Sequence, residues 1–283
     1  MTDANARVGE SGPVVELADV SRTFEGSAGR VEALRSIDLT IGRGEFVSLI
    51  GPSGCGKSTL LRIVGDLIAP SSGRVTVNGK TAAQARLDRD YGMVFQAPVL
   101  FDWRTVQKNV ELPLEVIGQP EEARRTKASE MLRLVELEDF SGHHPWQLSG
   151  GMQQRVAIAR ALALDPAILL MDEPFGALDE MTRERMNFEL LKIWVRTGTT
   201  IIFVTHSIPE AVYLSTRVVV MSARPGRITD VIDVDLPRLR TDETREMERY
   251  YELVTKVREA LRAGEVGDGR SESSRIRAEG LSP

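Results

Sequence analysis

The sequence is short of cysteine and of long apolar runs, and each shortage excludes a class of protein. A single cysteine, Cys55, rules out an intrachain disulfide framework and suits a reducing compartment. The longest apolar runs, such as AILLM at 167–171, are strand-sized and fall far short of the roughly 18 residues that span a bilayer. The opening residues, MTDANARVGESGP, contain no apolar signal-peptide core. If the protein works at a membrane, another chain must supply the membrane spans.

The sequence also lacks internal repeats and an excess of basic residues. Its 36 Lys and Arg residues against 41 Asp and Glu residues give a formal net charge of −5. A protein that mainly binds nucleic acid normally has a basic face, so we expect no nucleic-acid partner, although a local basic patch is compatible with this charge. The hydrophobic fraction of 42% and the length of 283 residues predict one large core, or one core with a smaller lobe.

Two patterns of apolar residues predict two kinds of sheet. VVELADVSRTF (14–24) and ALRSIDLTI (33–41) alternate apolar and polar positions, as half-buried antiparallel strands do. Short apolar runs separated by helical patterns predict a mostly parallel sheet covered by helices on both faces. These runs are EFVSLI (45–50), AILLMD (167–172), TTIIFVT (199–205) and RVVVMSA (217–223). SSGRVTVNGK (71–80) contains a strand and a hairpin turn at Asn78-Gly79.

The ends of the later helices can also be predicted. SIPE (207–210) fits a capping box, with Ser207 as N-cap and Glu210 three residues later. Beyond residue 237, apolar residues at helical spacing predict a C-terminal helix that ends near Gly264. They are Met247, Tyr250, Tyr251, Val254, Val257 and Leu261. We expect residues 1–13 and the polar segment 265–283 to be disordered tails.

GPSGCGKST (51–59) fits the phosphate-loop pattern G-x-x-x-x-G-K-[ST] between a predicted strand and a predicted helix. In such a loop the backbone N–H groups turn inward around phosphate oxygens, Lys57 adds a positive charge and Ser58 offers a hydroxyl to Mg²⁺. The helix that follows presents its positive end to the same anion. The alternative, a glycine-rich turn that binds nothing, is disfavoured by the strand–loop–helix context. The predicted phosphate-binding residues are Gly51, Pro52, Ser53, Gly54, Cys55, Gly56, Lys57, Ser58 and Thr59.

Two further segments contain candidate metal-binding, catalytic and anion-binding residues. The strand in AILLMDEP (167–174) ends at Asp172 and Glu173, where Asp172 would hold a metal through water and Glu173 would orient or deprotonate the attacking water. QLSGGMQQR (147–155) places Ser149, Gly150 and Gly151 at the start of a helix, which is a second anion-binding arrangement. Solvated acids at a strand end and a simple glycine-rich N-cap are the respective alternatives.

From about residue 14 to residue 235 the sequence resembles the ATP-binding cassette (ABC) ATPases, the motor subunits of ABC transporters. LSGGMQQR (148–155) is similar to that family's signature sequence, and MDEPFGALD (171–179) to its metal strand and D-loop. Gln96 in VFQAP matches the Q-loop glutamine, and His206 in FVTHS matches the switch histidine.

The resemblance implies an α/β fold with a P-loop NTPase (RecA-like) core and a mostly parallel sheet. An N-terminal antiparallel β subdomain and a helical subdomain inserted at about 97–160 would complete the cassette, and a C-terminal extension at 236–264 would follow it. For that extension, packing on its own core and a sensor or dimer-locking role are the two alternatives.

The resemblance also implies that ATP and Mg²⁺ are bound and what the site residues do. Lys57 and Ser58 would grip the phosphates and Mg²⁺, with Asp172 as the second metal partner. Glu173 would act on the water, and His206 would contact the γ-phosphate.

In this family two cassettes stack head to tail, so Ser149 and Gly151, with Gly150 between them, would serve the partner chain's γ-phosphate. Gln96 would be a further metal ligand that reports the nucleotide state to the membrane subunit, and Asp179 would couple the two sites. Phe24 would stack on adenine; an ordinary core aromatic is the alternative for it.

Within the family, FDWRTVQKNVELPLEV (101–116) and RVVVMSARPGRI (217–228) resemble the nitrate/sulfonate/taurine importer ATPases. Phe101 and Asp102 replace the usual Leu-Pro of that branch, Trp146 precedes the signature and Ser207 follows the switch histidine. Trp103 is either a core aromatic of the helical lobe or part of the groove that receives a helix of the membrane subunit.

The resemblance therefore implies the motor of an importer for a small anionic solute, peripheral on the cytoplasmic face of the cell membrane. Its partners would be a second copy of itself, permease subunits and, indirectly, a solute-binding protein. A soluble ABC ATPase that acts on nucleic acid or ribosomes is disfavoured by the single cassette and the negative charge. A P-loop kinase is disfavoured by the signature sequence, and an exporter is left open. The adjacent His143 and His144 make a poor metal pair.

Overall fold

The structure, a computed structural model, describes residues 12–26 and 29–279, with side chains described as far as residue 264. Its N-terminal sheet is antiparallel, as the alternating pattern of the first two segments predicts. In spatial order its strands are β2 (Gly29–Ile41), β1 (Val15–Gly26), β4 (Ser72–Val77) and β5 (Lys80–Thr81). The hairpin predicted at Asn78-Gly79 is confirmed, because these two residues connect β4 to β5 and both have positive φ.

The second sheet has six strands in the order β10-β9-β3-β8-β7-β6. The strands are β3 (Phe46–Ile50), β6 (Tyr91–Val94), β7 (Ile168–Asp172), β8 (Thr200–Val204), β9 (Arg217–Met221) and β10 (Ile228–Asp233). All pairings are parallel except that of β10 with β9. The fold class predicted from the sequence is confirmed.

The six-stranded sheet is buried on both faces because successive side chains of a strand point in opposite directions. In β8, Ile202 and Val204 pack in the cluster shared with the antiparallel sheet. Ile201 and Phe203 pack in the cluster shared with the helices on the opposite face. Since both faces are covered, the central strands contain continuous apolar runs rather than alternating ones.

Helices pack against the two sheets and against one another. They are α1 (Lys57–Val64), α2 (Ala82–Leu87), α3 (Val106–Val116), α4 (Glu121–Leu134), α5 (Gly150–Leu162), α6 (Glu180–Thr197), α7 (Ile208–Leu214), α8 (Asp242–Glu246) and α9 (Glu248–Glu279). Helices α3, α4 and α5 lie between β6 and β7 in the chain and pack together through buried Val110, Leu132 and Val156. None of the described helices is both long and apolar enough to cross a bilayer.

The C-terminal helix is longer than the sequence pattern predicts. The expected end near Gly264 is wrong, because α9 continues to Glu279, and the expectation of a disordered segment is wrong for 265–279 as well. Each glycine costs a helix only about 1 kcal/mol and creates no clash, and the next proline is Pro283. Residues 1–11 and 280–283 of the predicted tails lie outside the described residues.

The predicted apolar face of α9 is right only in part. Tyr250, Val254 and Val257 are buried, whereas Met247 precedes the helix and Tyr251 is 60% exposed. Leu253, which the prediction omits, is buried instead. Positions three, four and seven residues apart share one helix face, and this rule places 253 rather than 251 beside 250, 254 and 257.

Candidate active site

The predicted site residues converge at one edge of the six-stranded sheet. The strands β3, β8 and β7 are neighbours, and their carboxyl ends lie together because they run parallel. The phosphate loop follows β3, His206 follows β8, and Asp172 ends β7. In open α/β sheets this edge is where ligands bind.

The phosphate loop is held in a conformation that depends on two of its glycines. Gly56 has φ of +103°, and a Cβ there would lie 2.9 Å from the carbonyl oxygen of Ala33. A Cβ on Gly51 would lie 2.7 Å from the carbonyl oxygen of Met221. The buried ammonium of Lys57 donates across the loop to the carbonyl oxygens of Gly51, at 2.8 Å, and Pro52, at 3.0 Å.

Ser58 and Asp172 form the oxygen pair expected of a magnesium site. The Ser58 hydroxyl donates to Asp172 Oδ1 at 2.6 Å, although the two residues are 114 positions apart. A hydroxyl and a carboxylate beside a phosphate loop are the ligands that Mg²⁺ takes together with phosphate oxygens, so these residues fit the metal. Gln96 is exposed, and its Nε2 lies 3.3 Å from the position of a Cβ on Gly176. Its role as a metal ligand stays a prediction.

Glu173 and His206 meet beside the phosphate loop. His206 Nδ1 lies 3.2 Å from Glu173 Oε2. Glu173 has φ of +47°, which is uncommon for a residue with a side chain, and its N–H donates to the carbonyl oxygen of Val204 at 3.1 Å. This strained residue lies at the end of β7, and its carboxylate turns toward the cavity of the site. A carboxylate and an imidazole in contact can accept and donate protons around an attacking water.

One cavity of about 380 Å³ collects six of the nine predicted phosphate-binding residues together with Phe24. It is lined by Phe24, Val31, Ala33, Ser53, Gly54, Gly56, Lys57, Ser58, Thr59, Glu173 and Arg224. Phe24 is half-buried, belongs to neither hydrophobic core cluster and has the Arg22 guanidinium 4.6 Å from its ring centroid. The alternative that Phe24 is a core aromatic is therefore wrong. Stacking on adenine stays a prediction for it.

Arg224 is a lining residue that sequence analysis misses. Its Nε and Nη2 donate to the carbonyl oxygen of Gly54 at 3.3 and 3.2 Å, and it has no ion-pair partner among the described residues. A Cβ on nearby Gly226 would lie 1.9 Å from the carbonyl oxygen of Cys55, so only glycine lets this segment approach the phosphate loop so closely. No local pattern could have found Arg224, because it lies 170 residues from Gly54 in the chain.

Replacing Arg224 with Ala should raise the KM for the nucleotide on the order of tenfold and change kcat little, because a guanidinium that lines the anion site is lost. Steady-state hydrolysis assays at varied nucleotide concentration measure the effect. Arg227→Ala is the matched control, since it removes the same charge from the same segment outside the cavity. An unchanged KM in Arg224→Ala would contradict the prediction.

The signature segment does not line this cavity. Ser149 is the N-cap of α5 and accepts from the Met152 N–H at 3.4 Å, and Ser149 and Gly150 are exposed. Gly151 is buried, and a Cβ there would lie 3.0 Å from Cγ2 of Thr182 on α6. The start of α5 therefore packs on the start of α6.

Asp179 caps the neighbouring helix. It is the N-cap of α6, and its Oδ1 accepts from the Thr182 N–H at 3.0 Å. This hydrogen bond lowers the pKa of Asp179, so the carboxylate is charged at neutral pH. Its predicted role in coupling two sites stays a prediction.

A phosphate loop after a central parallel strand, with a serine hydroxyl and a strand-end aspartate in contact beside it, defines a P-loop nucleoside triphosphatase. A family model described as ABC transporter matches residues 34–176, and the chain belongs to this family as an ABC transporter ATPase.

The sequences of relatives are similar to this chain over most of its length, which is consistent with this assignment. The nitrate import ATP-binding protein NrtD of Synechocystis sp. is 47% identical, over 84% of this chain and 88% of NrtD. The taurine import ATP-binding protein TauB of Rhizobium johnstonii is 45% identical, over 83% of this chain and 91% of TauB. A solved dimeric ATP-binding cassette in a post-hydrolysis state, bound to ADP and Pi, is 39% identical with a TM-score of 0.67, over 80% of this chain and 99% of that chain.

Proposed function

We propose that this chain is the ATP-hydrolysing motor subunit of an importer for a small solute with an anionic oxyacid group, of the nitrate or sulfonate kind. It works as a homodimer on the cytoplasmic face of the cell membrane, bound to permease subunits that receive the solute from a solute-binding protein. The observation that carries the proposal is the exposed signature segment at the start of α5, outside the nucleotide cavity of its own chain. The relatives that import nitrate and taurine support the solute class.

The exposed signature segment supports a head-to-tail pair. The N-terminus of a helix carries partial positive charge and unpaired N–H groups, so the start of α5 suits a phosphate group. Because Ser149 and Gly150 are exposed and do not line their own cavity, that phosphate belongs to a nucleotide held by a second copy. An isologous two-fold contact forms both composite sites at once, and the dimeric relative bound to ADP and Pi is consistent with it.

Within each composite site the residues have different roles. Lys57 and the loop N–H groups hold the phosphates, and Ser58 and Asp172 would hold Mg²⁺, which would neutralise phosphate charge. Glu173 accepts a proton from the attacking water, and His206 orients that carboxylate and the γ-phosphate. Loss of the γ-phosphate removes contacts that bridge the two chains, so hydrolysis reopens the dimer.

An exposed aromatic patch on the helical lobe suits the permease subunit. Trp103 is 74% exposed, so the alternative that it is a core aromatic is wrong. Its ring centroid lies 4.8 Å from that of Phe101, and Trp146 stacks on His144 at 4.4 Å. His144 Nδ1 lies 3.2 Å from the carbonyl oxygen of Asp102, which joins the two pairs. Large exposed aromatics are the usual anchors of protein interfaces.

A pull-down of the tagged chain from native membranes in mild detergent tests this function. We expect a stoichiometric multi-span permease to co-purify, and Trp103→Ala to reduce its recovery about tenfold, as loss of an anchor does. Tyr251→Ala, which removes an exposed aromatic from α9, is the matched control and should change nothing. Recovery only from the soluble fraction, with ribosomes or DNA-repair proteins, would overturn the transport function.

A further inference from the structure

The short helix α7 begins two residues after His206, with Ser207 as its N-cap, and is joined to both neighbours of His206. The capping box predicted for Ser207 and Glu210 forms only in part. Ser207 Oγ accepts from the Glu210 N–H at 3.4 Å, but the Glu210 carboxylate is buried and accepts from the Thr205 hydroxyl instead. The Ser207 N–H donates to the same hydroxyl oxygen at 3.0 Å. The backbone on either side of His206 therefore follows any movement of α7.

The C-terminal end of α7 is held by Arg240, from the segment that follows the cassette. The Arg240 side chain is 1% exposed and donates to the carbonyl oxygens of Val212 (3.4 Å), Tyr213 (2.5 Å) and Ser215 (2.6 Å). Helix C-termini leave such carbonyls without partners and favour a cation. Arg240 has no carboxylate partner among the described side chains, and burial lowers its pKa to about 10, so it remains charged at neutral pH.

The other end of α7 is held by the C-terminal helix. Tyr250 on α9 is 5% exposed, and its hydroxyl donates to the carbonyl oxygen of Pro209 at 3.1 Å. A helix of seven residues is too short to be stable without tertiary contacts. The position of α7 therefore depends on these anchors at its two ends.

We propose that Arg240 and Tyr250 are positioning residues for His206. They fix α7, and α7 fixes the imidazole against the Glu173 carboxylate. The C-terminal extension is thus part of the hydrolytic machinery without touching the nucleotide. This inference rests on the proposed role of His206 in ATP hydrolysis.

The test compares Tyr250→Phe, which removes one hydroxyl, and Arg240→Lys, which keeps the charge, with a matched control. The control is Val257→Ala, because Val257 is fully buried on the same helix but makes no side-chain hydrogen bond to α7. Three properties are measured in the full chain: thermal unfolding, the kcat and KM of ATP hydrolysis, and the imidazole NMR signals. The sequence contains only three histidines, so His206 is assigned by replacing it, and the other two are internal references.

We expect Tyr250→Phe and Arg240→Lys to shift the His206 signal, to leave the other two histidine signals in place and to lower kcat by about three- to tenfold with KM unchanged. Val257→Ala should lower the unfolding temperature without either effect. If Tyr250→Phe and Arg240→Lys change only the unfolding temperature, the inference is wrong. The His206→Ala variant distinguishes the two claims. Full ATPase activity in His206→Ala would contradict the proposed role of His206. If His206→Ala loses ATPase activity while Tyr250→Phe and Arg240→Lys keep normal activity, only the positioning role is contradicted.

Discussion

Replacing Glu173 with Gln is expected to lower the kcat of ATP hydrolysis about a thousandfold while ATP remains bound. The amide occupies the same space but cannot take a proton from the attacking water. The position is also constrained, because Glu173 has a positive φ and lies 3.2 Å from Nδ1 of His206. Since the phosphate loop and the signature are intact, the ATP-bound dimer should accumulate.

Steady-state phosphate release measures the loss, and size-exclusion chromatography with ATP measures the dimer. Glu138→Gln is the control, because it changes an exposed carboxylate of the helical lobe that pairs only with Arg133 among the described residues. Steady-state turnover that survives Glu173→Gln would show that another group activates the water.

Replacing Lys57 with Ala is expected to weaken ATP binding on the order of a hundredfold and to abolish hydrolysis. The ammonium is buried in the loop, and Lys57 lines the cavity where its positive charge would attract the phosphates. Its removal also leaves the carbonyl oxygens of Gly51 and Pro52 without their donor, so the loop loses its internal brace.

Calorimetric titration with ATP measures this affinity. Lys80→Ala is the matched control, since Lys80 pairs with Asp88 and Asp90 on the surface and does not line the cavity. Equal ATP affinity in the wild type and Lys57→Ala would contradict the assignment of the phosphate loop.

The site residues that belong to short sequence patterns could be predicted. The phosphate loop needs glycines and a lysine at fixed offsets, and Asp172 and Glu173 follow a recognisable buried strand. Their convergence follows from the parallel sheet, because the carboxyl ends of neighbouring strands share one edge. The contact between Ser58 and Asp172, 114 residues apart, was therefore foreseeable.

Other contacts could not be predicted, because no local pattern encodes them. Arg224 reaches the phosphate loop from a distant turn, and Arg240 reaches the end of α7 from a segment whose sequence shows only a scatter of charges. Glu210 shows how context overrides a motif: its spacing fits a capping box, but burial turns the carboxylate toward Thr205. The length of α9 was underestimated because glycine weakens a helix without ending it.

The proposed function depends most on the claim that each ATP site combines two copies of the chain. Lys57→Ala removes the cation of the phosphate loop, and Ser149→Asp places a negative charge at the start of α5. Each variant alone should be inactive. In an equal mixture roughly half of the dimers are mixed, and each mixed dimer holds one site with an intact loop from one chain and an intact signature from the other.

We expect the mixture to recover roughly a quarter of the wild-type ATPase activity, because half of the dimers have one of two sites restored. When the chain with both substitutions is mixed with Lys57→Ala, no dimer combines an intact phosphate loop with an intact signature. This mixture should therefore stay inactive. Recovery in the first mixture and not in the second is the result that a shared site predicts. If Ser149→Asp alone keeps full activity, or if mixed dimers form without any recovery, the signature does not act on the partner's nucleotide.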